Sequence, residues 1–166
     1  MCSSDLAGSG ERKLSGQMEY AELGTRVRAL TVGETDVVAL MATLACEIHH
    51  FDARFDWTGF YRVTAPGMLK IGPYQGGHGC LTIPFERGVC GAAARTGEVQ
   101  LVDDVAAFAG HIACAATTRS ELVLPVWNGA GVMIGVLDID SDQPRAFKKD
   151  DAEALGGILK EVFAQC

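Results

Sequence analysis

No run of about 18 apolar residues occurs anywhere in this 166-residue sequence, so no segment reads as a bilayer-spanning helix. The first residues, MCSSDLAGSGERKLSG, lack an apolar h-region, which removes the secretory-signal reading and points to the cytoplasm. Positive charge is in short supply: 14 Lys+Arg stand against 21 Asp+Glu, for a net charge of −7 and a pI near 5.0. Nucleic-acid affinity depends on clustered Lys and Arg, so a phosphate-tracking surface is excluded. Six cysteines in 166 residues fall well short of the roughly 8–10% of a disulfide scaffold. In a reducing compartment such cysteines are thiols with chemistry or packing to do, because static cross-links are rare there. Internal repeats are absent, and so is low-complexity sequence beyond the first residues.

Glycine is in excess, at 20 of 166 residues, against a usual share of about 7%. That predicts tight turns and close backbone approaches. Hydrophobic residues make up 48% and charged residues 21%, the balance of a globular protein. A chain of this size can bury about 70% of its unfolded surface around one core. Residues 1–16 are Ser/Gly-rich and read as a disordered leader, leaving 17–166 as a single domain.

Along that domain the spacing predicts a helix over Met18–Leu30, with Tyr20, Leu23, Val27 and Leu30 on one face and Gly33 ending it. A second helix over 34–50 carries Val37, Leu40, Met41, Leu44 and Ile48 at three- and four-residue spacing, with Thr35 or Asp36 at its start. WTGFYRV and MLKIGPY flank Ala65-Pro66-Gly67 as a hairpin. Leu81–Phe85 reads as a short strand, Gly88–Arg95 as a short helix closed by Gly97, and Val99–Val102 as a strand. Residues 103–119 form a long connection, and connections longer than about 12–15 residues are usually functional. Strands Glu121–Trp127 and Val132–Ile139 flank Asn128-Gly129-Ala130-Gly131, a hairpin signal. An amphipathic helix over Asp150–Phe163 closes the chain. Hairpins in place of repeated βα units indicate an α+β fold: a central antiparallel sheet of five to six strands flanked by N- and C-terminal helices.

Three cysteines fall at loops or element ends: Cys80 after a glycine loop, Cys90 in Gly88-Val89-Cys90-Gly91, and Cys114 in His111-Ile112-Ala113-Cys114. A free cysteine is ordinarily a small buried hydrophobe; three in one loop-rich stretch also suit thiol chemistry. Zinc is a further reading, since His78, Cys80, Cys90, His111 and Cys114 supply enough ligands. Structural zinc sites pair ligands two to four residues apart. Cys80 and Cys90 have no Cys-x-x-Cys partner, although His111-x-x-Cys114 has suitable spacing, and the expectation is no metal.

The strand end Leu137-Asp138-Ile139-Asp140 turns both aspartates to one face. Pairing through the 128–131 turn as 127/132, 125/134, 123/136 and 121/138 brings Glu121 beside them. Such a group is either a solvated strand end or a pocket that selects an ammonium group or keeps one carboxyl protonated as an acid. Trp57 and Tyr61 share a strand face with Gly59 between them. That arrangement is either ordinary core or a slot for a small apolar group.

Together the motifs WTGFYRV, GPYQGGHGC, IPFERGVCGAAARTG, VDDVAAFAGHIAC, RSELVLPV and GVLDIDS resemble the free methionine-(R)-sulfoxide reductases, over about residues 18–163. The resemblance implies a GAF-like fold and thiol-dependent reduction of free L-methionine-(R)-sulfoxide, with no cofactor and with reducing equivalents from thioredoxin. It implies Cys114 as nucleophile, Cys80 as the resolving cysteine that forms a disulfide with it, and Cys90 as a third, auxiliary cysteine. Glu121, Asp138 and Asp140 match the substrate-binding and acid carboxylates, and Trp57 and Tyr61 the aromatic wall around the S-methyl end. A homodimer is implied as well. The sequence departs from the pattern at Ala115, where the family usually has an acidic or polar residue. A non-catalytic GAF module that senses a small molecule or redox state is the alternative.

Overall fold

Apolar residues three and four apart fold the first two segments into helices, and two-residue alternation lays the middle of the chain into strands. A computed structural model describes residues 7–112 and 114–166. The elements are α1 (Ala7–Thr31), α2 (Val37–His49), β1 (Trp57–Ala65), β2 (Met68–Gln75), β3 (Thr82–Pro84), α3 (Gly88–Thr96), β4 (Gln100–Val102), β5 (Ser120–Trp127), β6 (Met133–Ser141) and α4 (Lys149–Phe163), with a short 3-10 turn at Val105–Ala107. The six strands form one antiparallel sheet in the order β3-β2-β1-β6-β5-β4. Among the described residues no helix is long and apolar enough to cross a membrane.

The α1 helix begins at Ala7, inside the segment read from sequence as a leader; residues 1–6 of that segment lie outside the described residues. Extending an existing helix costs far less than nucleating one, so a helix seated further along can propagate back into weak sequence. Leu23 and Val27 of α1 are buried as expected, whereas Leu30 is 55% exposed. The buried row runs on by four residues to Thr31, whose hydroxyl donates back to the Val27 carbonyl oxygen at 2.9 Å. Asp36 caps α2, accepting from the Ala39 N–H at 2.8 Å.

The helices α1, α2 and α4 cover one face of the sheet. Phe60, Leu122, Leu124, Leu137 and Ile139 from the strands meet Leu40, Met41, Leu44, Ile48, Leu155 and Phe163 there, all essentially fully buried. Each such side chain contributes about 1.5–3 kcal/mol by leaving water. The other face carries Trp57, Tyr61, Leu69, Val123 and Val136 beneath the short α3. A Cβ on Gly91 would lie 2.6 Å from the Pro84 carbonyl oxygen, so this glycine lets α3 press onto the chain leaving β3. The neighbouring Cys90 is thereby held at the sheet surface.

The β5–β6 register differs from the expected one. Glu121 pairs with Asp140 and Val123 with Asp138, and the ladder is shifted between Val126 and Trp127. The Asn128 side chain accepts from the N–H groups of Ala130 and Val132, which lengthens the connection and moves the pairing by two residues. Because side chains alternate with period two, a two-residue shift leaves every side chain on its expected face.

Candidate active site

Alternation along β5, β6 and β1 puts Glu121, Asp138, Asp140, Trp57 and Tyr61 on the α3 side of the sheet. Glu121 faces Asp140 across β5–β6, and Asp138 faces Gly59 across β1–β6. Above them the 103–119 connection is tied down at several points: the Gly88 N–H donates to the Gly110 carbonyl oxygen, Val105 N–H to Arg119, and Arg119 N–H to Ser141. Cys114, carried on this connection, is joined by a disulfide to Cys80, which follows β2; their Cα atoms are 5.3 Å apart. Both cysteines are partly exposed.

Beneath the disulfide lies a cavity of about 20 Å³. Its lining includes Cys90, His111, Cys114, Glu121, Asp138 and Asp140. The fold thus gathers Cys114, Cys90 and all three carboxyl groups at one place. Such a cavity has room for about one water molecule, so an amino acid the size of methionine does not fit while the disulfide is closed.

Burial and mutual repulsion control the charge of this floor. Asp138 is only 5% exposed. Desolvation raises its pKa to about 6, against the pull of its hydrogen bonds with Cys90 and Glu121. Glu121 is pushed well above the usual carboxylate range by burial, then by the charges of Asp138 and Asp140. Asp140 goes the same way through burial and its neighbours Asp138 and Asp142, with a Thr118 hydrogen bond opposing. Three such groups resist ionising together, and Asp138, the least raised of them, takes the charge before Glu121 and Asp140. Cys90 is fully buried, its Sγ 3.9 Å from Glu121 Oε1. Burial, followed by the Asp138 and Glu121 charges, raises its thiol pKa well above the ordinary value. Burial lowers the pKa of His111, whose Nε2 stands 3.8 Å from Glu121 Oε2.

Trp57 and Tyr61 do not line this cavity; they stand beside it, and the slot expected over Gly59 is filled. A Cβ on Gly59 would lie 2.4 Å from the Trp57 ring and 2.4 Å from Tyr74 Cβ. The glycine lets the indole lie flat on its own strand, stacked on Tyr61 at 5.9 Å and on Tyr74 at 5.4 Å. The indole N–H donates to the Gly77 carbonyl oxygen at 2.8 Å, so the wall also pins the loop that carries Cys80. Sequence reading missed Tyr74, although its pairing with Gly59 follows from the hairpin. It also missed Thr118, which lies in irregular chain where no periodicity marks it. The zinc set weighed from sequence is not assembled as a cluster; among the described residues Cys90, Glu121 and Asp138 come together instead.

A family profile for the GAF domain matches residues 31–162. The free methionine-R-sulfoxide reductase of Escherichia coli is 38% identical over 143 residues, covering 86% of this chain and 86% of that protein. The chain belongs to the GAF-domain free methionine-(R)-sulfoxide reductases. Protein YtsP of Bacillus subtilis is 42% identical over 92% of this chain and 97% of its own length. The X-ray structure of free methionine-R-sulfoxide reductase from Neisseria meningitidis, in complex with its substrate, superposes with a TM-score of 0.82. It is 36% identical and covers 99% of this chain and 92% of that one. For a reductase of this family, the structure described here is the oxidised form, with Cys80 and Cys114 joined.

Proposed function

We propose that this chain reduces free L-methionine-(R)-sulfoxide with Cys114 as nucleophile and Cys80 as resolving cysteine. The observation that carries this reading is the Cys80–Cys114 disulfide closed over a cavity floored by two buried carboxyl groups, Glu121 and Asp138, and the half-buried Asp140. With the disulfide open, the Cys114 thiolate attacks the sulfoxide sulfur while an acid protonates the departing oxygen. Glu121 is the acid: it is the more buried of the two strongly raised carboxyls, and burial with the neighbouring Asp138 and Asp140 charges favours its protonated form. The sulfoxide is reduced to methionine and its oxygen passes to Cys114 as a sulfenic acid. The Cys80 thiol then displaces that oxygen as water, giving the disulfide seen here.

Asp138 and Asp140 receive the substrate's α-ammonium group, and their repulsion eases when a cation sits between them. A peptide-bound residue lacks that ammonium and would leave the carboxylates uncompensated, which selects the free amino acid. Trp57 and Tyr61 bound the space for the S-methyl end once the loop that carries Cys80 moves. Cys90 is an auxiliary thiol at the floor. Both cysteines of the disulfide are partly exposed, which suits attack by an external dithiol of the thioredoxin class that resets the site in the cytoplasm. No cofactor enters this cycle. Two copies pair through the end of the first helix, where Leu30 and, just past it, Val32 are exposed apolar residues.

The test is thioredoxin-coupled NADPH oxidation with the free R epimer, the free S epimer and a peptide-bound sulfoxide. Turnover confined to the free R epimer is the expected result. No turnover with any of the three, in protein whose thiols titrate as free, would transfer the case to a ligand-binding sensor.

A further inference from the structure

The cycle of Cys114 and Cys80 leaves a third thiol unused, and the fold places it among ligands of another kind. Cys90, Glu121 and Asp138 each offer one donor atom, and the three atoms lie within 4.8 Å of one another. Cys90 Sγ and Glu121 Oε1 are 3.9 Å apart. Two such atoms on one tetrahedral ion, at bond lengths of about 2.3 and 2.1 Å, stand roughly 3.6 Å apart. A small side-chain rotation closes that difference. The third residue is independently informative: beside the interactions of its carboxyl with Cys90 and Glu121, one oxygen of Asp138, Oδ1, is buried with no hydrogen-bond partner, in a residue that lines the cavity. An acceptor buried this way costs free energy until something meets it. The space beside it, about 20 Å³, admits a single ion or water.

The geometry points to a divalent metal site of the zinc class, made by the Cys90 thiolate and the Glu121 and Asp138 carboxylates on the floor of the oxidised pocket. One sulfur with two carboxylates suits a borderline ion such as Zn²⁺ better than Mg²⁺ or Ca²⁺, which prefer all-oxygen shells, or Cu(I), which prefers soft sulfur donors. Three protein ligands leave one tetrahedral position, for a water or for His111, whose imidazole already stands beside Glu121. The metal displaces the protons of the thiol and of the protonated carboxyl into solvent, and nothing is oxidised or reduced. An ion there occupies two of the three carboxyls assigned above to the substrate and its oxygen. That consequence rests on the proposed function, whereas the binding itself does not.

The probe is Co²⁺, added to protein whose Cys80–Cys114 disulfide has been formed, so that neither redox cysteine can supply a thiolate. The expected result is one equivalent bound, with a thiolate-to-cobalt charge-transfer band and tetrahedral visible bands, both removed by competing Zn²⁺. Cys90→Ser should lose the charge-transfer band. Glu121→Gln and Asp138→Asn should weaken binding by more than the roughly 10–100-fold that second-sphere changes cost. The rival thiols are Cys2, Cys46 and Cys166, of which Cys46 has an imidazole nitrogen of His50 3.9 Å away; a variant with all three changed to alanine should keep the full signal. A wild-type protein without the charge-transfer band overturns the proposal whatever the variants do. So does a band that survives Cys90→Ser or vanishes in the triple variant. None of these readings depends on sulfoxide turnover, so they stand or fall apart from the reductase assay.

Discussion

Two faces of one strand give opposite lessons. On β6, Leu137 and Ile139 point toward the helices, while Asp138 between them and Asp140 after them point toward α3 and the redox loops. Both faces are largely covered at this end of the sheet, yet one is filled with hydrocarbon and the other with acids. The helix-covered face lowers free energy by excluding water from apolar surface. The opposite face stores carboxyl groups in a place that disfavours their charge, raising the pKa of each. The first face carries the stability that the second draws on for its chemistry.

The most severe change on the site face should be Cys114→Ser. Turnover should fall below detection, with the far-ultraviolet circular dichroism unchanged, because no atom of the helix-side core is touched. Cys80→Ser should separate the two halves of the cycle. Mixed with substrate in the absence of reductant, it should release one equivalent of methionine and then stall for thioredoxin. Equal single-turnover yields from wild type and Cys114→Ser would refute the nucleophile assignment. Glu121→Gln comes next, since it keeps the shape and removes the acidic proton. Loss of a general acid costs about 10²–10⁴ in rate, so kcat should fall by that order while KM changes little. A variant in which only KM moves would make Glu121 a binding residue and shift the acid to Asp140.

Leu137→Ala sharpens the comparison from the other face. Leu137 is fully buried among the helices, and removing such a side chain costs about 2–5 kcal/mol in lost burial and cavity formation. Chemical denaturation should show that loss at every pH, and activity per folded molecule should stay close to wild type. A large fall in specific activity would mean that the two faces are mechanically coupled through β6.

The two faces also differed in how far they could be read from sequence. Periodicity found α2, the hairpin of β1 and β2, and the acidic end of β6, because burial on one side writes itself into the spacing of apolar residues. It placed Glu121, Asp138 and Asp140 on one face, and it did so despite a register off by two, because a two-residue shift preserves the face. The slot over Gly59 was misread for a local reason: the absent Cβ is used by the Trp57 ring itself, a contact that depends on a rotamer. Thr118 beside Asp140 was invisible because irregular chain has no period. The size of the cavity follows from a disulfide joining residues 34 positions apart, which spacing alone does not reveal.

The smallest effect should be a pH dependence that belongs to one face alone. Asp138 has its pKa raised from 3.8 to about 6 in the folded protein, so the native state binds this proton more tightly than the unfolded chain does. By linkage, its contribution to stability is fully present below about pH 4 and is lost as pH rises through about 6. A shift of about two units corresponds to roughly 3 kcal/mol at most. Part of the loss should extend higher, because Glu121 and Asp140 are raised too and compete for the same charge. Asp138→Asn removes the titration while keeping the shape. The stability of wild type relative to this variant should therefore decline by about 1–3 kcal/mol between pH 4 and 7, measured as paired urea midpoints across that range. Leu137→Ala, one residue away and facing the helices, should run parallel to wild type over the same interval. Parallel curves for both variants would mean that Asp138 keeps its ordinary pKa, and that the contrast between the two faces is one of packing without charge.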